Sequence, residues 1–348
     1  MTPIEEELRA AFARHEQEAP AAGPVRTKID LAWVRAKRRR VVRRVTGVAA
    51  AMVIFSAPMP VVMEKWHHQE HPPTVSGLTG LTGQTAAPAT GPLDLLLIGS
   101  DNRVSWDDPE NRHADTVMIV HVPADRSRAY LVSLPRDGEI KLPSGVRAKL
   151  SETLLEGGPA LTEKVVSGLT GVTFDATVTI DFRALRAMTD AVGGVDICLP
   201  APISGVQNDK AFPKGCQHLG ADDVTPLLRA RYRLQNGSYD RDRNAQRFLR
   251  SLATKLVSDG TITDPVRLRA VLAAGKDGIE IDGDVGGLLG AAGAMGSAEV
   301  VGIGGNTFDA LGSGRERIFF KVGPELWAAV RDDRLADWTA ANPSYLLQ

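Results

Sequence analysis

The chain reads as an α/β protein: a mixed central sheet with helices packed on it, preceded by one N-terminal transmembrane helix. Two observations carry this. From Leu93 onward, short β-compatible runs alternate with helical ones, which is the pattern of an α/β sandwich or a mixed sheet with helices on its faces. Upstream, the nineteen-residue run Val45–Met63 carries no charge and follows a dense basic block.

The 348 residues suffice for one large domain or two ordinary ones. Residues 1–44 form a polar, basic tail. Glu5, Glu6 and Glu7 lead into Leu8, Ala11 and Phe12, which share one helical face and suit either a partner helix or a solvated tail. Nine Lys or Arg residues lie between Arg26 and Arg44, whereas Val45 to Pro92 holds only Lys65. At ~1.5 Å per residue the run 45–63 makes a helix of roughly 28 Å, close to the ~30 Å of a bilayer core. The charge asymmetry places the N-terminus in the cytoplasm and the rest outside, a single-pass type II plasma-membrane topology. More than forty residues precede the run, too many for an ordinary cleaved signal peptide. Residues 64–92, rich in Gly, Thr, Pro and Ala, read as a flexible extracytoplasmic linker. His67, His68 and His71 belong to that polar stretch and suit a solvated linker better than a metal site. Residues 93–348 read as one extracytoplasmic domain.

Within that domain the predicted strands are Leu93–Ile98, Thr116–Val122, Ala129–Leu134, Val178–Phe182 and Val195–Leu199. The predicted helices are Ala160–Leu169, Ala184–Val192, Gln246–Ser258, Glu325–Val330 and Asp333–Thr339. Two cysteines, Cys198 and Cys216, are the whole thiol inventory. Outside the cell they are expected to pair as a disulfide, and their spacing lacks the C-x-x-C pattern of a metal or redox site.

A net charge of -1 gives no electrostatic argument for a nucleic-acid partner. The informative charges are local. Asp101 and Arg103 follow LDLLLIGS, Asp115 precedes TVMIVHV, and Arg136 and Asp137 follow YLVSLP. Ligand sites in α/β sheets gather just beyond strand ends, so these groups either converge on one pocket or merely cap strands. A second set, Arg229, Arg231, Arg233, Arg241, Arg243 and Arg247, is interleaved with Asp240 and Asp242. It suits either phosphate recognition by planar guanidinium forks or a self-neutralising surface network. Together the two sets point to a pyrophosphate. Asp101 and Asp115 would carry Mg²⁺, or Mn²⁺, and Arg136, Arg229, Arg231 and Arg241 would clamp the phosphates. No nucleotide P-loop, serine-hydrolase elbow or H-E-x-x-H sequence is present.

The segments LLLIGSDNR (95–103), ADTVMIVHV (114–122), LVSLPRD (131–137), KLSETLLEGGP (149–159), TIDFRALRAMTDAVGGVDICLP (179–200), LLRARYR and YDRDRNAQRFL (227–249) resemble, in order and spacing, the LytR-CpsA-Psr wall-polymer ligases. The resemblance covers about residues 92–262, with a looser likeness at 325–343. It implies transfer of a glycopolymer from a polyprenyl pyrophosphate to a peptidoglycan sugar hydroxyl, with release of polyprenyl phosphate. It also implies an apolar lipid cavity between sheet and helices. On this resemblance Asp101 and Asp115 are metal carboxylates, and Arg103, Arg136, Lys149, Arg229, Arg231 and Arg241 lie on the pyrophosphate side. Asp137 would orient an arginine.

The chain departs from the family pattern in places. Ser238 stands where Asp is usual, Asn244-Ala245 where Arg-Gln is usual, and Ser151 where Asn is common. Pro226 falls in a helix that is usually unbroken. Asp240 and Gln246 are the nearest groups able to compensate. The departures leave two alternatives to the transferase: a non-catalytic polyprenyl-pyrophosphate binder acting as regulator or scaffold, and a metal-dependent pyrophosphatase in which water replaces the acceptor.

Overall fold

A computed structural model describes residues 91–101, 112–204, 210–230, 234, 237–284, 288, 298–304, 310–312, 314–319 and 321–347. The tail, the uncharged run 45–63 and the linker to residue 90 lie outside the described residues. Among the described residues no helix is long and apolar enough to cross a membrane.

The elements, in chain order, begin with β1 (Leu93–Asp101), β2 (His113–Val122), β3 (Arg128–Leu134) and the short hairpin β4 (Glu139–Lys141) and β5 (Arg147–Lys149). Next come α1 (Thr153–Thr170), β6 (Ala176–Asp181), α2 (Phe182–Ala191) and β7 (Val195–Leu199). The small strands β8 (Ile203–Ser204), β9 (Ala211–Phe212) and β10 (Gly215–Leu219) follow. Helices α3 (Ala221–Arg229), α4 (Ser238–Ser258) and α5 (Pro265–Ala274) precede β11 (Ile279–Gly283), β12 (Glu299–Ile303), β13 (Ala310–Gly312) and β14 (Arg315–Glu316). Helices α6 (Gly323–Arg331) and α7 (Leu335–Ala341) end the series.

The central sheet has the order β11-β6-β1-β2-β3-β12. It is mixed: β1 runs antiparallel to β2 and parallel to β6, while β3 runs antiparallel to β2 and parallel to β12. Apolar side chains alternate between its two faces. Leu96, Ile98, Val117, Ile119 and Val132 join one core with α1, α6 and α7. Met118 joins the other core with α2, α3 and α4, against which Leu97 and Ile180 also pack. A strand buried on both sides reads as a near-continuous apolar run, which is why β1 and β2 stand out in the sequence.

Local signals fix the element ends. Asp181 caps α2 by accepting from the Ala184 N–H at 2.9 Å, and Asp264 caps α5 ahead of Pro265. Gly171, at φ 69°, closes α1 in a left-handed conformation. The α1 run is broken at Gly157-Gly158, so the helix predicted from Ala160 is its second half. Pro226 lies inside α3 without ending it; the helix runs on to Arg229. The predicted disulfide is present: Cys198 and Cys216 face each other across the β7–β10 pair, with Cα atoms 3.9 Å apart.

A buried polar tie joins the chain's end to the sheet. On β2, His121 is fully buried, with Nδ1 2.9 Å from Asp94 Oδ1 on β1 and Nε2 2.9 Å from Asp333 Oδ1 in the α6–α7 turn. The other oxygen of Asp333 accepts from the Ala124 N–H at 3.1 Å.

Candidate active site

The β1–β2 ladder slips at Gly99/Ser100, a bulge at the strand end. Bulges re-aim side chains next to functional sites. Beside it Asp115, in β2, forms an ion pair through its carboxylate with Arg136, which follows β3. Arg241, in the first turn of α4, donates to the Asp115 carbonyl oxygen at 3.3 Å and to Asp242 Oδ1 at 3.0 Å. Arg136 Nε lies 4.0 Å from Asp137 Oδ1, and the same oxygen accepts from Lys149 Nζ at 2.8 Å. Two arginines, a lysine and three carboxylates therefore form one continuous network at neighbouring strand ends.

An apolar cleft opens from this network on the α2–α3–α4 face of the sheet. Leu97, Ile180, Phe182, Leu185, Leu228 and Leu249 supply the walls, and Ser100, Asp115, Arg229 and Arg241 supply the polar mouth. The Arg229 guanidinium sits 4.9 Å over the Phe182 ring, a cation–π contact that holds it at the entrance. The void measures ≈ 40 Å³. That is room for a few waters, so an alkyl chain would enter only by moving the walls apart.

Of the predicted residues, the structure brings together Asp115, Arg136, Asp137, Lys149, Arg229 and Arg241. It does not bring Gln246 to them. That side chain is fully buried, and its amide donates to the Leu131 and Ile303 carbonyl oxygens at 3.1 and 2.8 Å, bridging β3 to β12. Gln246 thus sets the height of α4 over the sheet instead of meeting phosphate. Asp240 pairs with Arg243 at 3.1 Å. Arg103, Arg231 and the side chains of Asp101 and Ser238 lie outside the described residues. The arginine-rich segment is partly the self-neutralising network its composition allowed: Arg241–Asp242 and Arg243–Asp240 pair within α4, and Arg241 also reaches the β2 end.

Two carboxyls of the cluster, Asp242 and the additional Glu316, are shifted by burial. Asp242 is pushed up to about 6; burial raises it against the opposing pull of Arg241 and Arg136. Glu316, on β14, is 3% exposed and is pushed up to about 7 by burial and by the neighbouring Asp137, with Lys149 pulling the other way. The Glu316 N–H donates to the Asp137 carbonyl oxygen at 3.2 Å, which fixes β14 against the site. In the sequence Asp242 is visible only as one member of an alternating Arg/Asp run. Glu316 has no local signal at all, since its neighbours come from a distant segment.

Among the described residues no group of three or more His, Cys, Asp or Glu side chains is gathered as a metal cage. The donor chemistry fits a shared site, in which a protein carboxylate such as Asp115 contributes and phosphate oxygens complete the shell.

The fold has counterparts in solved structures. The crystal structure of Bacillus subtilis TagV superposes with a TM-score of 0.60 at 17% identity, covering 71% of this chain and 98% of that one. A structure of TagT bound to LIIa-WTA gives 0.58 at 17% identity, covering 78% and 99%. By sequence, the cell wall biosynthesis protein LcpA of Corynebacterium glutamicum is 32% identical over 236 residues, 56% of this chain and 45% of that protein. The polyisoprenyl-teichoic acid–peptidoglycan teichoic acid transferase TagV of Bacillus subtilis is 24% identical over 179 residues, 49% of this chain and 45% of that protein. The chain spans about half the length of these curated relatives. A family model matches residues 63–314, the greater part of the chain and every strand of the sheet that carries the Asp115–Arg136–Arg241 network, so the chain belongs to the LytR_cpsA_psr family.

Proposed function

We propose that the protein is a phosphotransferase that moves a glycopolymer from a polyprenyl-pyrophosphate carrier to a peptidoglycan sugar hydroxyl. The observation that carries this reading is the cationic network of Arg136 and Arg241 on Asp115, set at the mouth of an apolar cleft in a chain of this family. A lipid pyrophosphate needs both parts at once: apolar walls for the chain and fixed guanidinium charge for the phosphates.

In the proposed step the acceptor hydroxyl attacks the phosphorus that bears the glycan. A new P–O bond forms, the bridging P–O bond to the lipid phosphate breaks, and its electron pair leaves on that phosphate. The hydroxyl proton passes to a carboxylate, a role assigned to Asp137, while Arg136 and Arg241 neutralise the charge that develops. Arg229 and Lys149 hold the outer phosphate oxygens, with Arg103 and Arg231 as further cations. Asp101 and Asp115 would hold Mg²⁺, or Mn²⁺, which supplies charge neutralisation at the pyrophosphate. The uncharged run 45–63 would anchor the chain in the plasma membrane, with the N-terminus cytoplasmic and the described domain outside beside its lipid substrate.

One observation favours a second reading. Asp242 already pairs with Arg241, and Ala245 at the cleft wall lacks the amide usual in the family, so a binder of polyprenyl pyrophosphate without turnover is the alternative. Release of polyprenyl phosphate from a lipid-linked donor, with and without glycan acceptor, separates the readings. Acceptor-dependent release supports the transferase. Release without acceptor indicates a pyrophosphatase, and binding without release leaves the binder.

A further inference from the structure

A second cleft, of ≈ 700 Å³, lies on the opposite face of the central sheet from the first. Its walls include Phe319 and Trp327, which belong to the core on the α1–α6–α7 side. The walls of the first cleft belong to the core on the α2–α3–α4 side. Its volume falls within the ~300–1,000 Å³ of ordinary ligand pockets. Glu139, Arg147, Arg317 and Arg331 give it charge over the apolar surface of Leu169 and Ile318.

The β4–β5 hairpin leads to it from the reaction centre. In that hairpin Glu139 faces Lys149, Ile140 faces Ala148 and Lys141 faces Arg147. Ile140 and Ala148 point into the core, so alternation puts Glu139, Lys141, Arg147 and Lys149 together on the outer face. Two groups of ion pairs lie along that face. Lys149 meets Asp137 at 2.8 Å, Glu139 meets Arg147 at 2.8 Å, and Arg315 meets Glu139 at 3.4 Å. Charged side chains thus line the way from Asp137 to the cleft, with Lys149 and Glu139 as register partners between the ion pairs.

We propose that this track and cleft seat the acceptor, a saccharide strand bearing carboxylates; the proposal rests on the transferase reading above. Two arguments select that occupant. The first is charge: among the described residues that line the cleft, Arg147, Arg317 and Arg331 stand against one carboxylate, Glu139, which pairs with Arg147 and Arg315. The surplus suits carboxylates, which the guanidinium fork binds with two bonds. The second is the direction of attack. In phosphoryl transfer the attacking and leaving oxygens lie roughly in line. With the lipid phosphate leaving toward the cleft beneath α2 and α4, the acceptor arrives from the other side of Arg136, where the hairpin face begins. The outer face of β4–β5 is the surface available there, and Arg147 is 71% exposed on it.

The experiment uses the full chain in liposomes, with Arg147→Glu, Arg317→Glu and the double variant. Both arginines are surface residues outside the catalytic network, and melting temperatures verify the fold. The probe is a short uncross-linked glycan strand with free carboxylates, titrated onto Arg136→Ala protein so that binding needs no turnover. The acceptor KM is measured in parallel on protein with Arg136 intact. We expect the double charge reversal to weaken strand binding and raise the acceptor KM by about 10-fold or more, the loss of one charge-assisted hydrogen bond. The donor KM should not move, and strands with amidated carboxylates should bind the unreversed protein as weakly as free strands bind the variant. Unchanged strand binding and unchanged acceptor KM overturn the assignment. So does selective loss of binding to lipid-free donor glycopolymer, which would make the cleft a donor subsite. If the protein releases no lipid phosphate yet charge reversal still abolishes strand binding, the transferase reading fails and the cleft assignment stands.

Discussion

Replacing His121 by glutamine tests the tie between the chain's end and the sheet. Each ring nitrogen of His121 faces a carboxyl oxygen at 2.9 Å; with both carboxyls ionised both nitrogens donate, and only the imidazolium has two N–H donors. Burial pushes the His121 pKa down, but the bonds and charges of Asp94 and Asp333 more than reverse this, and the net shift is upward. Removing one partner of a fully buried pair costs about 3–5 kcal/mol. Here the carboxylates keep 14% and 27% exposure, so water recovers part of that and about 2–4 kcal/mol is expected. The sign with pH follows from the upward shift. The stability from a protonated His121 is fully present below the unfolded value of about 6.5 and is lost as pH rises through the higher folded pKa. Asp94, raised mainly by burial against the pull of His121, acts in the same direction at lower pH. Urea unfolding of both proteins from pH 5 to 9 should show a gap that is widest below 6.5 and narrows above it. Parallel pH profiles for the two proteins would refute the buried imidazolium.

Four other outcomes are expected. Arg136→Ala or Arg241→Ala should lower polyprenyl phosphate release by about 10²–10³, with poor rescue by Lys, because a point charge lacks the planar fork. Asp242→Asn should be more stable than the unsubstituted protein above pH 6, with the difference opening between about 3.8 and 6; a raised folded pKa means that ionised Asp242 costs stability there, and denaturant midpoints across that range check it. Gln246→Leu should cost about 1–3 kcal/mol for each carbonyl left without its donor, read as a lower urea midpoint. Reducing Cys198–Cys216, which are 18 residues apart, should cost roughly 3 kcal/mol in the chain-entropy account, seen as a lower melting temperature in dithiothreitol.

The inner strands were legible because burial on both faces writes itself as apolar runs, as in LDLLLI and TVMIVHV. The sheet's edges were not. β11 is IEIDG, half polar, and β12 is a short EVVGI beyond a Gly/Ala-rich stretch; both are strands because β6 and β3 offer them open ladders. Helix α4 begins at Ser238 and not at Gln246, because SYDRDRN carries no apolar period. Its first turns are held by contacts such as Arg241 to the β2 end. The gathering of Asp115 and Arg136 was readable from charges at strand ends, and Arg241 from the arginine-rich segment beyond them. The position of Gln246 was not, since an amide on a helix face shows its role only once the two strands it spans are known. Glu316 likewise acquires its neighbours only when β14 folds back beside Asp137.

The Gln246 bridge bears on when the protein becomes competent. One of its two acceptors, Ile303, lies on β12, which is synthesised long after β3, its partner in the sheet. During synthesis from the N-terminus, Asp115, Arg136 and Arg241 therefore emerge before the edge strand that holds α4 at its height. Pairing so distant in sequence closes slowly. Until β12 has docked beside β3, Arg241 has no fixed address over the end of β2, and the Asp115–Arg136–Arg241 network is incomplete.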